Sequence, residues 1–247
     1  MAGAVTASQA PGVAGTGAGP VIALDGPASS GKSSVGAAVA TALGLRFFDS
    51  GLLYRALAWI ALERQVDPAD ASAVAALAPS VAVEADEHGR LSRVVIDGRD
   101  ASTEIRTPAL DRVVSVVAQA PEVRAVLLVR QRALAGAGGI VVAGRDIGTV
   151  VLPEADVKVW LDASPGERAD RRALERGIDP ASAAGIAIRD DLRRRDRVDG
   201  TRAVAPARPA ADAIHVRTDG NTLEQTVAAV IAAVTSGLAA TAAGVAG

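Results

Sequence analysis

Cysteine is absent from this chain of 247 residues, which excludes disulfide bonds, thiolate zinc sites and cysteine nucleophiles. Aromatic residues are scarce: the chain has two Trp, one Tyr and two Phe. With so few rings to stack on bases and a formal net charge of -2, the composition does not favour a nucleic acid as partner. Lysine is nearly absent too, since it occurs only at Lys32 and Lys158 while arginine occurs 24 times.

Both ends of the chain lack charged residues. Residues 1–20 have neither the basic segment nor the continuous apolar core of a signal peptide, so we expect a flexible leader there. Residues 225–247 are rich in Ala, Gly and Thr rather than Leu, Ile and Phe. They predict a last helix to about Val234 and a flexible tail over 236–247, not a membrane span. These expectations, together with the absence of cysteine, favour the cytoplasm and no membrane partner.

One stretch, Gly26–Ser33, fits the phosphate-binding pattern G-x-x-x-x-G-K-[ST] without a mismatch. It lies between an apolar run at 21–25, which predicts a buried strand, and an Ala-rich segment that predicts a helix. Glycines allow successive N–H groups to point at phosphate oxygens, and the helix adds its positive N-terminal end. We expect Lys32 to reach the β and γ phosphates of a nucleoside triphosphate, and Ser33 to ligate Mg²⁺ with Asp49 supporting the ion. The expected contacts with that nucleotide are Gly26, Pro27, Ala28, Ser29, Ser30, Gly31, Lys32, Ser33 and Ser34.

The rest of the chain alternates short apolar strands with helical segments, which is typical of a parallel sheet covered by helices. The region 64–106 departs from that alternation. Its runs at 81–85 and 92–96 flank a polar turn and predict an antiparallel hairpin, which we interpret as a small lobe over the main sheet. The predicted division is a core at 21–63 and 107–235, an insertion at 64–106 and, within the core, a lid at about 165–202.

Charged residues gather where an α/β sheet would bind a ligand. Arg145 and Asp146 follow the apolar run at 138–143 after a single residue, Gly144, so they are expected at the carboxyl end of a parallel strand. Twelve of the 24 arginines lie within 168–217, a concentration that suits an anionic ligand. The arginine-rich segment 189–202 is typical either of a solvated helix laced with ion pairs or of a mobile segment that closes over phosphates.

In combination, the motifs resemble the bacterial cytidylate kinase family. The resemblance covers about 21–234 and rests on the phosphate-binding loop and on five further segments: Asp49-Ser50-Gly51-x-x-Tyr54-Arg55, Glu104-Ile105-Arg106, Gly144-Arg145-Asp146-Ile147-Gly148-Thr149-Val150-Val151, Arg195-Asp196-x-x-Asp199-x-x-Arg202 and Ala205-Pro206. It implies a P-loop three-layer α/β/α fold with a parallel central sheet, a small antiparallel insertion next to the monophosphate site and a helical lid. It also implies transfer of a phosphoryl group from ATP to CMP or dCMP, with Mg²⁺ as cofactor, and we expect a monomer.

The same resemblance implies roles for individual residues. Arg168 and Arg172 would face ATP, and Lys32, Arg145 and Arg195 would be catalytic. The residues that would bind CMP are Ser50, Arg124, Asp146 and Arg202 at the cytosine, Arg195 and Asp199 at the ribose, and Tyr54, Arg55 and Arg145 at the phosphate. One position departs from the family pattern: Ser29 stands where relatives often have Gly, and we expect it to be tolerated if its φ is negative.

Two other classes of function stay open. Another P-loop kinase would act on UMP, AMP or a non-nucleotide acceptor such as shikimate, and a regulatory module would bind a nucleotide without turnover. The chain contains no NKxD segment, which argues against a guanine-reading switch. The segment 189–202 is a candidate for binding RNA, but the scarcity of aromatic residues and the nearly neutral charge disfavour it.

Overall fold

A computed structural model describes residues 19–87 and 89–245 of the chain. Most of the predicted leader and the last two residues of the predicted tail lie outside them. The strands are β1 Val21–Asp25, β2 Arg46–Asp49, β3 Val81–Ala85, β4 Arg90–Ile96, β5 Arg99–Asp100, β6 Ile140–Gly144, β7 Val157–Asp162 and β8 Ile214–Arg217. The helices are α1 Lys32–Leu43, α2 Gly51–Glu63, α3 Ala71–Ala76, α4 Leu110–Val117, α5 Pro121–Ala135, α6 Pro165–Glu175, α7 Ala183–Gly200 and α8 Leu223–Val245.

One sheet contains these strands in the order β3-β4-β2-β6-β1-β7-β8, with β5 paired to β4. The central strands β2, β6, β1, β7 and β8 run parallel, as the alternation of strands and helices predicts. Parallel pairing brings their carboxyl ends to one edge of the sheet. Asp25, the last residue of β1, lies beside Gly144, the last residue of β6. Open α/β sheets bind their ligands at this edge.

Helices cover both faces of the sheet, because neighbouring residues of a strand point to opposite sides. Phe47 belongs to the apolar cluster that includes α1 and α8, whereas Phe48 belongs to the cluster that includes α2, α4 and α5. The same alternation separates Leu24 from Ala23 in β1. Each large buried side chain contributes roughly 2 kcal/mol to folding. The predicted three-layer α/β/α fold is confirmed.

The predicted hairpin is present, but it lies in the sheet and not over it. β3 and β4 pair antiparallel, and β4 also pairs in parallel with β2. The placement of the insertion as a lobe over the main sheet is therefore wrong, since the hairpin extends the edge of that sheet. Arg130 of α5 fastens it to the core by donating to the carbonyl oxygens of Ala78 and Val81.

The last helix is longer than predicted. α8 continues to Val245, so residues 236–245 are helical where a flexible tail was expected. The alanine-rich composition behind that expectation is itself favourable to a helix. By length and composition alone, Leu223–Ala243 would pass as a membrane span. Val230 and Val234 are buried in the cluster that α8 shares with α1 and β7, so one face of this helix packs against the domain.

The segment predicted as a lid consists of α6 and α7. The two helices pack together through Ala169, Ala173, Ile188 and Leu192, and this small cluster also includes Ala28 of the predicted phosphate-binding loop. α7 is longer than the arginine-rich segment because it begins at Ala183, within a stretch of small residues. The lid helices therefore rest directly on the loop.

Candidate active site

A cavity of about 400 Å³ opens at the carboxyl edge of the parallel strands. Residues that end or follow β1, β2 and β6 line it, as do residues of both lid helices. Its wall carries eight cationic side chains and four carboxylates, so positive charge is in excess. The cations are Lys32, Arg55, Arg106, Arg124, Arg145, Arg172, Arg195 and Arg202, and the carboxylates are Asp49, Asp146, Glu175 and Asp199. Such a wall suits a ligand that carries phosphates.

The cavity brings together every residue that the family resemblance assigns to CMP. The set comes from distant parts of the chain: the start of α2, helix α5, the turn after β6, and the end of α7. The nine residues are Ser50, Tyr54, Arg55, Arg124, Arg145, Asp146, Arg195, Asp199 and Arg202.

The phosphate-binding loop connects β1 to α1, and residues 28–34 of it line the cavity, whereas Gly26 and Pro27 do not. Gly26 has to be glycine because a Cβ atom there would lie 2.1 Å from the carbonyl oxygen of Leu161. Ser29 has a φ of 57°. The condition set for tolerating serine, a negative φ, is therefore not met, and a serine in the left-handed region is strained by about 1 kcal/mol or more.

Lys32 opens α1 with its side chain buried. Its Nζ atom donates to the carbonyl oxygen of Pro27 at 2.6 Å and to Oγ of Ser30 at 3.3 Å, so the side chain curls back over its own loop. Burial, and then the neighbouring Arg145 guanidinium, lower the pKa of the ammonium group well below its ordinary value. An anion bound here would stabilise the charged lysine, which favours binding of a phosphate group.

Ser33 and Asp49 offer two oxygen atoms that suit Mg²⁺. Oγ of Ser33 donates to Oδ2 of Asp49 at 2.6 Å, next to the phosphate-binding loop. Oδ1 of Asp49 accepts from the N–H of Gly51 at 2.9 Å, which fixes the carboxylate. Among the described residues, no group of three or more Asp, Glu, His or Cys could hold a metal by itself. The pair fits an ion that takes most of its ligands from water and nucleotide phosphates, as Mg²⁺ does.

Asp25 supports the site and was not predicted. It ends β1, is buried, and accepts hydrogen bonds from the N–H groups of Ile147 and Gly148 at 2.8 and 2.7 Å. It thereby fixes the turn that carries Arg145 and Asp146. Burial raises the pKa of its carboxyl group to about 6, although the two N–H donors limit the rise. The available signal was its place in the sequence, as a charged residue that ends an apolar strand.

A second group of predicted residues gathers around Tyr54. Arg124 and Asp146 form a buried ion pair, and the Arg124 guanidinium lies 5.6 Å from the centroid of the Tyr54 ring. Arg124 and Arg202 both donate to the carbonyl oxygen of Ala118. Atoms Nε and Nη2 of Arg202 are buried and find no hydrogen-bond partner in the part of the chain that the structure describes. Buried donors without an acceptor are costly, so they indicate a position where a ligand accepts hydrogen bonds.

Arg145 lies between the phosphate-binding loop and the lid. Its Nη1 atom donates to the carbonyl oxygen of Gly26 at 2.8 Å, and its Nε atom is 3.1 Å from Oδ2 of Asp199 in α7. Asp199 also faces Nη1 of Arg202 at 3.9 Å. Arg195 lies one turn earlier in α7, and its buried Nε atom has no partner among the described residues. Asp199 of the lid is thus connected to the phosphate-binding loop through Arg145.

Arg168 lies apart from Arg172, the other lid residue that was predicted to face ATP. Its guanidinium is buried, donates to the carbonyl oxygens of Ala163 and Ala28, and pairs with Asp196 at 2.8 Å. In this position it fastens α6 to the phosphate-binding loop and to α7, and it does not line the cavity. Arg172, its predicted companion, does line the cavity.

Further residues of the site were missed. Ser115, Arg106 and Glu175 line the cavity, and Asp111 pairs with arginines of its wall. Arg106 belongs to a segment that carries the family resemblance, which was a usable signal. The other three stand on helices, where nothing in the local sequence distinguishes them from surface residues.

Comparison with known proteins agrees with this geometry. A family model described as Cytidylate kinase matches residues 22–236. A cytidylate kinase of Roseiflexus castenholzii is 46% identical over 220 residues, covering 86% of this chain and 92% of that protein. A cytidylate kinase of Pelotomaculum thermopropionicum is 44% identical over 220 residues, covering 88% of this chain and 97% of that protein. One of Mycolicibacterium paratuberculosis is 46% identical over 213 residues, covering 84% of this chain and 91% of that protein. The match spans the phosphate-binding loop, the cavity wall and the lid, and the chain belongs to the cytidylate kinase family.

Proposed function

We propose that this chain transfers the γ-phosphoryl group of ATP to CMP or dCMP, and that ADP and CDP or dCDP are the products. The observation that carries the proposal is that one cavity contains both the phosphate-binding loop and all nine residues expected to hold CMP. Membership of the cytidylate kinase family supports ATP-dependent phosphorylation of CMP.

ATP binds with its phosphates against residues 28–34, where the positive end of α1 faces the cavity. Lys32 gives up its bond to the carbonyl oxygen of Pro27 and binds the β and γ phosphates, whose charge raises its pKa again. Arg172 approaches the nucleotide from α6. Arg168 supports the loop from behind through the carbonyl oxygen of Ala28.

Ser33 and Asp49 would hold Mg²⁺ beside the same phosphates, where the ion would offset charge on the phosphate oxygens. Ser33 supplies its hydroxyl oxygen, and Asp49 orients that hydroxyl through their hydrogen bond of 2.6 Å.

CMP binds with its cytosine among Ser50, Arg124, Asp146 and Arg202. Cytosine has an amino group that donates and a carbonyl oxygen that accepts, which matches a carboxylate beside arginines. The unpaired donors of Arg202 find their acceptors on the base. The ribose lies at Arg195 and Asp199, and the phosphate is bound by Tyr54, Arg55 and Arg145.

The transfer step requires the two substrates to be held in line and their negative charge to be offset. An oxygen atom of the CMP phosphate attacks the γ-phosphorus of ATP. The bond between that phosphorus and the β–γ bridging oxygen breaks, and ADP leaves. Lys32, Arg145 and Arg195 are the proposed catalytic residues, because fixed cations stabilise the charge on the transferring group.

Closure of α6 and α7 over the substrates excludes water, which would otherwise accept the phosphoryl group and make the protein an ATPase. The contact of Ala28 with the lid cluster and the ion pair between Arg145 and Asp199 support this role, because they couple the lid to the loop. We propose a monomer in the cytoplasm.

The proposal is tested by an assay of ADP release with Mg-ATP and a panel of acceptors: CMP, dCMP, UMP, AMP, GMP and shikimate. Turnover largely confined to CMP and dCMP is expected. Turnover with another acceptor would agree with a P-loop kinase but would overturn the assignment of CMP as the substrate. No turnover with any acceptor would favour a nucleotide-binding module without activity, and a salt-sensitive shift with RNA would favour a nucleic-acid partner.

A further inference from the structure

The carboxylate of Asp111 lies among four guanidinium groups. Oδ1 is 2.7 Å from Nη2 of Arg55 and 3.7 Å from Nη1 of Arg195. Oδ2 is 3.1 Å from Nη2 of Arg172 and 2.8 Å from Nη2 of Arg176. Arg55 belongs to α2, Arg172 to α6 and Arg195 to α7, and Arg176 directly follows α6. Asp111 stands in the first turn of α4. One carboxylate therefore joins both lid helices to the core.

Asp111 lies behind the cavity wall. Its side chain is only 6% exposed and does not line the cavity, whereas Arg55, Arg172 and Arg195 do. Each of these three arginines therefore uses one edge of its guanidinium on Asp111 and presents other atoms to the cavity. Arg195 contacts Asp111 through its Nη1 atom, and its buried Nε atom has no partner among the residues described.

The charges explain why a carboxylate is needed here. Burial, and then the nearby charge of Arg145, lower the pKa of the Arg195 guanidinium. The positive charges of Arg145 and Arg195 therefore repel each other in the cavity wall. Burial by itself would raise the pKa of the Asp111 carboxyl, but Arg55, Arg195 and Arg172 outweigh it and the pKa lies below its ordinary value. Asp111 is thus ionised at neutral pH, where it offsets the repulsion and fixes the planes of the arginines.

We propose that Asp111 is a positioning residue for phosphate binding, which holds Arg55, Arg172 and Arg195 with their free donors towards the phosphates of the substrates. The inference rests on the proposed function, since it needs a phosphate in the cavity. It differs from the opposite possibility, in which Asp111 imitates a phosphate and has to be displaced by the substrate. A positioning residue strengthens phosphate binding, whereas a competitor weakens it.

The test compares the binding of CMP with the binding of cytidine, which lacks the phosphate, in Asp111→Asn. CMP affinity is expected to fall by roughly 30-fold or more, which is the lower end of the range for removing one member of a buried charge pair. Cytidine affinity is expected to fall by no more than about threefold, because the cytosine contacts are untouched and, of the three positioned arginines, only Arg195 is assigned to the ribose. The matched control is Asp97→Asn, which removes an arginine-paired carboxylate on the surface and should change the affinity for neither ligand.

The outcomes separate this inference from the proposed function. If the wild-type chain does not phosphorylate CMP, the proposed function fails whatever the variant does. If the wild type is active and Asp111→Asn binds CMP equally well or more tightly, the positioning role is overturned. Equal loss of CMP and cytidine binding would also overturn it, since that pattern indicates general damage to the cavity.

A second variant covers the case in which Asp111→Asn does not fold. Arg176 pairs with Asp111 and does not line the cavity, so Arg176→Gln disturbs the carboxylate without removing a wall residue. The affinity for CMP is expected to fall about threefold and the affinity for cytidine to stay unchanged, as for loss of one partly exposed ion pair. Unchanged CMP binding in a folded Arg176→Gln protein would contradict the proposal.

Discussion

Nε of Arg145 lies 3.1 Å from Oδ2 of Asp199, and this ion pair joins the end of β6 to lid helix α7. The same guanidinium donates to the carbonyl oxygen of Gly26, at the start of the phosphate-binding loop. Arg145 therefore connects the loop, the central sheet and the lid. A residue in that position is placed to stabilise charge on a group passing from one nucleotide to the other.

Replacement of Lys32 or Arg145 by Ala is expected to lower kcat for phosphoryl transfer to CMP by about 10²- to 10³-fold, or ~3 to 4 kcal/mol, as for other fixed charge contacts. The measurement is steady-state ADP release, with thermal unfolding to verify the fold. Arg64→Ala is the control, because Arg64 pairs with Asp97 on the surface. Activity within about threefold of wild type in both variants would refute the catalytic assignment.

Replacement of Arg202 by Met should separate binding from stability. The side chain keeps its apolar stem but loses donors, two of which are buried and unpaired without a ligand. CMP affinity is expected to fall by about 10- to 100-fold, the range for hydrogen bonds from a charged group. The ligand-free protein should be at least as stable as wild type, because a buried and partly unsatisfied charge is removed. Titration with CMP measures the affinity, and thermal unfolding measures the stability. The exposed Arg193→Met is the control. Lower stability with unchanged CMP affinity would contradict the prediction.

Glycine at position 29 should stabilise the protein. Ser29 has a φ of 57°, which costs free energy for serine and almost none for glycine. Ser29→Gly is expected to raise the free energy of unfolding by roughly 0.5 to 1 kcal/mol, after the greater flexibility of glycine in the unfolded chain is subtracted. Ala28→Gly changes a residue of the same loop that does not have a positive φ, so this variant should lower the free energy of unfolding. Urea unfolding of both proteins checks the prediction, which fails if the two changes have the same sign.

The carboxyl group of Asp25 should make stability depend on pH. Its pKa is raised from 3.8 to about 6 by burial, so the folded protein binds this proton more tightly than the unfolded chain. The resulting stabilisation is complete below pH 3.8 and is lost as the pH rises through about 6. From pH 7 to pH 5, wild type should gain about 1 kcal/mol relative to Asp25→Asn. Urea unfolding of both proteins at the two pH values measures this; a difference that is constant with pH, or that moves the other way, would contradict it.

Local patterns in the sequence predict much of the fold. The apolar runs at 21–25 and 138–143 mark β1 and most of β6, and a strand–loop–helix order is what a phosphate-binding loop needs. The turn after β6 could also be predicted, because Arg145 and Asp146 follow an apolar strand directly. Family resemblance supplied the other CMP contacts, which periodicity alone does not distinguish from surface residues.

Features that depend on distant partners could not be predicted. Asp111 faces Arg55 and Arg172, which lie 56 and 61 residues away in the sequence, so no local pattern reveals it. The pairing of β4 with β2 is also long-range, and it decides that the hairpin lies in the sheet. The φ of Ser29 depends on how the loop is held between β1 and α1. The burial of Arg168 depends on how α6 packs against the loop and α7.

The central claim is that the cavity passes a phosphoryl group from ATP to CMP and not to water. The most direct measurement uses ATP labelled in its γ-phosphoryl group, and it follows label in CDP and in inorganic phosphate with and without CMP. The account predicts one labelled CDP for each ADP formed, and little labelled phosphate when CMP is absent. Release of labelled phosphate without labelled CDP, in the presence of CMP, would contradict it.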